Sequence, residues 1–190
     1  MSTRSMICMK DEGDKYKCIY CHSDGYLEHN GAILIDHYKD KEKLMELLEL
    51  GSISYLQPNV HPDPTRPHSF DYDQRQEGVV VAYCRDRGET KEEARLLTLD
   101  DLRDDQSWIE YVYLFDEDEE WKYLSYPLSV SQIKDVAEDL DKYYKSLGLK
   151  YRPKNCYGIL DEDDIAKIKK QQDSQGELWK NIFKNQETKS

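Results

Sequence analysis

Trp108-Ile109-Glu110-Tyr111-Val112-Tyr113-Leu114-Phe115 is an aromatic, apolar run, and Trp121-Lys122-Tyr123-Leu124-Ser125-Tyr126 follows it after five consecutive acids. Alternation of bulky and polar side chains at a period of two marks a half-buried strand, and aromatic residues favour that state. The two runs predict a hairpin whose turn is Asp116, Glu117, Asp118, Glu119 and Glu120. A second hairpin is predicted upstream, where residues 4–10 and 15–22 flank Asp11-Glu12-Gly13-Asp14. Residues 79–84 (VVVAYC) read as one further, buried strand that residues 85–89 end in a charged turn.

Helices are expected between these strands. Asn30 is placed to cap a helix over 31–38, and Asp40 to cap one carrying Leu44, Leu47 and Leu48 that closes at Gly51. Thr98 begins a short helix over 98–105. Ser129 or Ser131 is expected to cap a helix reaching about residue 147, closed by Gly148. Four acids at 161–164 favour the start of a last helix, which Gly176 is expected to interrupt. Residues 52–78 hold four of the six prolines, so they predict a loop rather than a long element. The fold class is α+β: a mostly antiparallel sheet of about five strands, two hairpins plus one strand, packed with helices. Residues 1–126 form the expected core domain and residues 127–190 a C-terminal helical extension, which offers a surface for pairing two chains.

Composition narrows the function classes. Hydrophobic residues are 38% and charged residues 35%, yet 15 Tyr, 3 Trp and 3 Phe supply core material that disordered chains lack. A formal net charge of −12 argues against direct nucleic-acid binding through the overall field. No apolar run reaches membrane-spanning length, and the first residues carry no signal-peptide core, so a soluble cytoplasmic protein without membrane contact is expected. The cysteines are Cys8, Cys18, Cys21, Cys84 and Cys156, an odd number that speaks against a disulfide framework. Cys18-Ile19-Tyr20-Cys21-His22 matches the spelling of a haem-attachment motif, but it lies in a predicted strand. A structural zinc site would need a second tight ligand pair, and none is spaced for it. The expectation is therefore small buried cysteines, no metal and no cofactor.

Four groups of residues have chemistry to offer. Ser2 would become an N-terminal nucleophile after loss of Met1, and His22 with Asp24 is an acid–base or metal-ligating pair, so these three are the candidate catalytic set of a small hydrolase. Arg4, Arg85, Arg87 and Glu89 are the candidate ligand-binding set, because guanidinium groups clamp phosphate or carboxylate groups. Residues 100–120 contain ten acids against one Arg; Asp100, Asp101, Asp104, Asp105 and the five turn acids are the candidate partner-binding surface. Carboxylates held on a rigid hairpin at phosphate-like spacing would compete for a positive groove, so the leading expectation is a protein that binds a basic nucleic-acid-binding protein. A small hydrolase and a small-ligand or nucleotide binder are the alternatives.

Several segments together resemble a known family. They are Ser2-Thr3-Arg4-Ser5, Ile19-Tyr20-Cys21-His22-Ser23-Asp24-Gly25-Tyr26, His37-Tyr38, Leu50-Gly51-Ser52-Ile53-Ser54 and Ala82-Tyr83-Cys84-Arg85-Asp86-Arg87-Gly88-Glu89. The chain resembles, over about residues 2–126, a family of uncharacterised small proteins of bacteriophages, prophages and mobile elements. Where that family has Trp and Pro, this chain has Ser23 and Leu27. The resemblance implies a phage or mobile-element setting and no reaction; taken with the net charge and the acidic hairpin, it leads to the expectation of a viral accessory protein with a host protein as partner, an inhibitor of host defence among the options.

Overall fold

Both hairpins form, and they meet strand to strand. The computed structural model describes residues 2–104 and 108–187. Its elements are β1 (Ser5–Lys10), β2 (Lys15–Cys21), α1 (Ala32–His37), α2 (Lys41–Glu49), β3 (Ile53–Tyr55), β4 (Val81–Ala82), α3 (Tyr83–Arg87), β5 (Arg95–Thr98), α4 (Leu99–Asp104), β6 (Tyr111–Phe115), β7 (Trp121–Ser125), β8 (Lys134–Asp135), α5 (Val136–Ser146) and α6 (Glu162–Glu187). A π-helical turn over Leu27–Gly31 leads into α1.

The α+β class holds, but among the described residues the sheet is mixed and has eight strands, not about five in mostly antiparallel order. The strand order is β4-β3-β2-β1-β6-β7-β8, with β5 also paired to β2. β1–β6 and β2–β3 run parallel. The three additional strands, β3, β5 and β8, span two to four residues, too short to print a period-two pattern. Strand β1 turns the two hairpins into one sheet: Ser5 lies opposite both Cys21 and Tyr111.

The alternation sends side chains to two cores. Ile7, Ile19, Cys21, Tyr113, Phe115 and Trp121 face one side and pack with Ile33, Leu47, Leu140 and Tyr144 of α1, α2 and α5. Met6, Cys8, Cys18, Val112, Leu114 and Leu124 face the other side, against Leu102 of α4, Ile109 and Leu128. Three buried aromatic groups have their polar tips paired, whereas Tyr144 Oη is buried with no hydrogen-bond partner among the described residues. Trp121 Nε1 donates to Tyr38 O at 3.0 Å, Tyr38 Oη to Gln57 O at 2.6 Å, and Tyr113 Oη to Gly25 O at 2.8 Å.

Four local expectations need correction. Only Val81–Ala82 of the 79–84 run is strand; residues 83–87 turn into α3, whose end is Gly88 at φ +69°. α5 is capped by Asp135, which accepts from Glu138 N at 2.7 Å, and not by Ser129 or Ser131. Ser131 Oγ instead accepts from Ser125 N, at the last residue of β7. Gly176 does not interrupt α6, because one glycine in a 26-residue helix costs only about 1 kcal/mol. Asn30 does not cap the helix over 31–38: its amide bonds Ser5 Oγ and Cys21 Sγ, and Gly31 stands at the N-cap of α1. The proline-rich segment is the expected loop, ordered by Gln76, whose amide bonds Asp63 N and the carbonyls of Asp63, Arg66 and Pro67.

α2 carries the expected cap, with Asp40 accepting from Lys43 N at 2.9 Å. Gly51 follows α2 at φ +71°, and a Cβ there would sit 2.0 Å from Glu92 O, the atom that accepts from Ser52 N at 2.7 Å. Gly51→Ala is expected to destabilise the fold by more than about 2 kcal/mol in urea unfolding. Gly13→Ala, at φ +65° with open space around it, should cost about 1 kcal/mol.

The link into α6 is tied to α1. Arg152 forms a bidentate pair with Asp36, His37 Nε2 bonds Tyr157 Oη, and Gly158 N donates to Glu28 O at 3.1 Å. Burial, with Lys43 nearby, lowers His37 below its ordinary value of 6.5. The unfolded chain therefore takes up this proton at a higher pH than the folded one. The contribution is fully present above about pH 6.5 and is lost as pH falls toward the lowered folded value. Thermal unfolding across that window should show this decline, and His37→Gln should flatten it.

Candidate functional site

Strand register gathers distant segments at one end of the sheet. Residues 2–4 continue β1 between the 22–25 turn and the start of β6: Gly25 N donates to Thr3 O at 2.9 Å, and Glu110 N to Arg4 O at 3.0 Å. His22 N and Ser23 N continue the β2 ladder onto Ile53 O and Ser54 O, at 3.0 and 3.1 Å. Residues 2–5, 19–25, 50–54 and 82–89, all singled out in the sequence, thereby become neighbours.

The candidate catalytic set assembles as neighbours, with the Ser2 hydroxyl and the His22 imidazole bonded to different partners. Ser2 Oγ donates to the peptide oxygen of His22 at 2.7 Å and lies 3.1 Å from Ser23 Oγ. The His22 imidazole turns away, its Nδ1 2.9 Å from Tyr20 Oη. Asp24 occupies a turn at φ +56°. Among the described residues, no imidazole or carboxylate contacts Ser2 Oγ to take its proton. No group of three His, Cys, Asp or Glu able to hold a metal occurs among the described residues. Cys18 and Cys21 are three apart on a strand, so they point to opposite faces, and Cys21 is buried with its thiol pushed up to about 11.

The ligand-binding set divides in two. Arg85 is structural: it donates to Val60 O and Val80 O and pairs with buried Asp86, which also accepts from Ala82 N. Arg87 faces the site end. Its guanidinium lies 4.1 Å over Tyr83 and 4.8 Å over Phe70, bonds Ser54 Oγ at 3.2 Å and pairs with Glu89 at 2.5 Å. Arg75 continues the series, 5.7 Å from Phe70 and 4.7 Å from Tyr55. Tyr83 meets Tyr20 edge-on at 6.4 Å, and Tyr20 meets His22 at 6.0 Å. Rings and guanidinium groups thus alternate from Tyr55 to Tyr83 and continue through Tyr20 to His22. Burial raises the Tyr20 phenol, Tyr83 adds to that, and the Arg4 guanidinium acts in the opposite direction.

Beside this row lies a groove of about 620 Å³ lined by Arg4, Cys18, Tyr20, Ser52, Lys91, Glu92, Glu93, Ala94 and Arg95. Glu92 reaches it because Gly51 admits its backbone, and Arg95 because β5 pairs with β2 opposite Cys18. Lys91 and Arg95 escape a sequence reading, since the KEEAR run of residues 91–95 looks like any solvated charged segment.

The acidic turn is tight but largely offset by the chain's own lysines. Lys122 lies 2.6 Å from Asp118 and 3.5 Å from Asp116, Lys41 2.9 Å from Glu119, and Lys39 3.5 Å from Glu120. Among the described residues, Glu117 has no ion pair. In α4, Asp101 accepts from Thr98 N and Oγ1, both at 2.8 Å, and Thr98 Oγ1 accepts from Asp101 N, so that acid is a cap. Asp100 and Asp104 lie on the same short helix, and Asp105 lies outside the described residues. No family model, curated protein or solved structure matches the chain. No helix among the described residues is long and apolar enough to cross a membrane.

Arg87→Ala is expected to destabilise the chain by about 1–2 kcal/mol, with protease cutting appearing within residues 59–78. Arg87→Lys should not restore the loss, because an ammonium cannot stack on both rings while bonding Ser54.

Proposed function

We propose that the chain is a binding protein that takes a small anionic ligand in the groove between Arg4, Tyr20 and residues 91–95. The supporting observation is charge placement. In a chain of net charge −12, this hollow is lined by three cations, Arg4, Lys91 and Arg95, against two acids, Glu92 and Glu93. On a surface of negative net charge, an anion is held where cations locally outnumber acids, as they do in this hollow. Guanidinium groups suit phosphate and carboxylate oxygens through paired N–H donors. Tyr20 and Ser52 line the same wall.

A hydrolase at Ser2 has less support, because the serine proton is committed to a peptide oxygen. An acidic decoy has less support too, because three lysines offset four of the five turn acids. Exposed pairs of this kind add little stability, but they do reduce the field a partner would meet.

Titration calorimetry with inorganic pyrophosphate tests the proposal. Binding is expected at low salt and should weaken as salt rises. Arg4→Ala should lower the affinity at least about tenfold with unchanged thermal unfolding. Absence of heat at low salt, or an Arg4→Ala protein that binds as the parent does, would overturn it.

A further inference from the structure

A second hollow adjoins the first across Arg4. It measures about 600 Å³ and is lined by Ser2, Thr3, Arg4, Trp108, Ile109, Glu110 and Tyr126. Arg4 is the wall the two hollows share. Its backbone is pinned on the β6 side, because Arg4 O accepts from Glu110 N at 3.0 Å and from Tyr111 N at 3.3 Å. Tyr126 N donates to Glu110 O at 2.8 Å, which holds the far wall on the same ladder.

The two hollows differ in chemistry. The first carries an excess of positive charge. In the second, Arg4 is balanced by Glu110, and two large rings are open to solvent: Trp108 is 80% exposed and Tyr126 75%. Trp108 sits at φ +64°, a backbone state that costs a side chain with a Cβ on the order of 1–2 kcal/mol. Two exposed rings beside a charge-balanced polar wall suit a planar group with hydrogen-bonding edges. Base–aromatic stacking uses such ring faces. The Thr3 hydroxyl and the Glu110 carboxylate can meet ribose hydroxyls and exocyclic amino groups, which a plain hydrocarbon ring lacks.

We infer that the ligand is a nucleoside phosphate, its phosphates between Arg4 and the Lys91–Arg95 wall and its base against Trp108 and Tyr126. This rests on the anion-binding reading above and adds the ligand's class to it. The negative field that disfavours a long polyanion disfavours a small nucleotide far less, because one nucleotide brings few charges to a single cationic hollow.

The test compares pyrophosphate, phenyl phosphate and the four common ribonucleoside diphosphates on the whole chain. At least one diphosphate is expected to bind ten times or more tighter than either simpler anion. Trp108→Ala should remove that advantage while leaving pyrophosphate affinity within twofold, and Arg4→Ala should weaken both probes. Trp108→Phe keeps a ring for stacking, so it should retain the preference while losing ligand-induced fluorescence quenching. Diphosphates that bind no tighter than pyrophosphate, phenyl phosphate that matches them, or a preference that survives Trp108→Ala would each overturn the inference and leave the anion reading standing. Failure of pyrophosphate and diphosphates alike would overturn both.

Discussion

Strand β1 is hydrogen-bonded along both edges, antiparallel to β2 and parallel to β6, and the rest of the molecule depends on that double pairing. It joins two hairpins that are remote in sequence into one sheet. It also sets which face each side chain takes, because a one-residue slip would exchange the two cores. The same register carries the chain past the first paired residue, so residues 2–4 lie between the 22–25 turn and residue 110. Arg4 stands where it does because Ser5 is fixed opposite both Cys21 and Tyr111.

Coverage of the sheet is unequal, and the site lies where it is thinnest. α1, α2 and α5 close one face. On the other, α4 and the turn at Leu128–Val130 reach Cys8, Leu114 and Leu124. Tyr20 and Arg4 extend beyond that cover and stay half-buried. The row of rings and guanidinium groups closes the opposite flank and anchors the proline-rich segment, which has few backbone donors of its own.

The charge of the chain is also arranged differently from its composition. The cluster at residues 116–120 is dense in sequence, yet α2 and the end of α1 bring lysines to it through space. Carboxylates elsewhere serve as helix caps, as Asp40, Asp101 and Asp135 do. Cations that are scattered along the chain, Arg4, Lys91 and Arg95, meet in one hollow. A net charge therefore describes the distant field and not the local one.

What could be read from the residues alone was whatever depends on neighbours in the chain. The two hairpins, the Asp40 cap, the Gly51 close and the Thr98 cap follow from local periodicity and side-chain-to-backbone bonding, and the α+β class follows from their order. The short strands β3 and β5, the turn of residues 83–87 into α3 and the parallel β1–β6 pairing depend on partners tens of residues away, which no local pattern encodes; β4 lies inside the predicted 79–84 run, and β8 is only two residues long. So does the division between Arg85, committed to the carbonyls of Val60 and Val80, and Arg87, turned toward Tyr83: two identical side chains, two residues apart, are separated by the helical rotation of α3. Ser2, His22 and Asp24 were recognisable by type, but whether imidazole met hydroxyl was decided by a hydrogen bond to a peptide oxygen. Side-chain chemistry is a property of the sequence; the distances between side chains are set by long-range pairing.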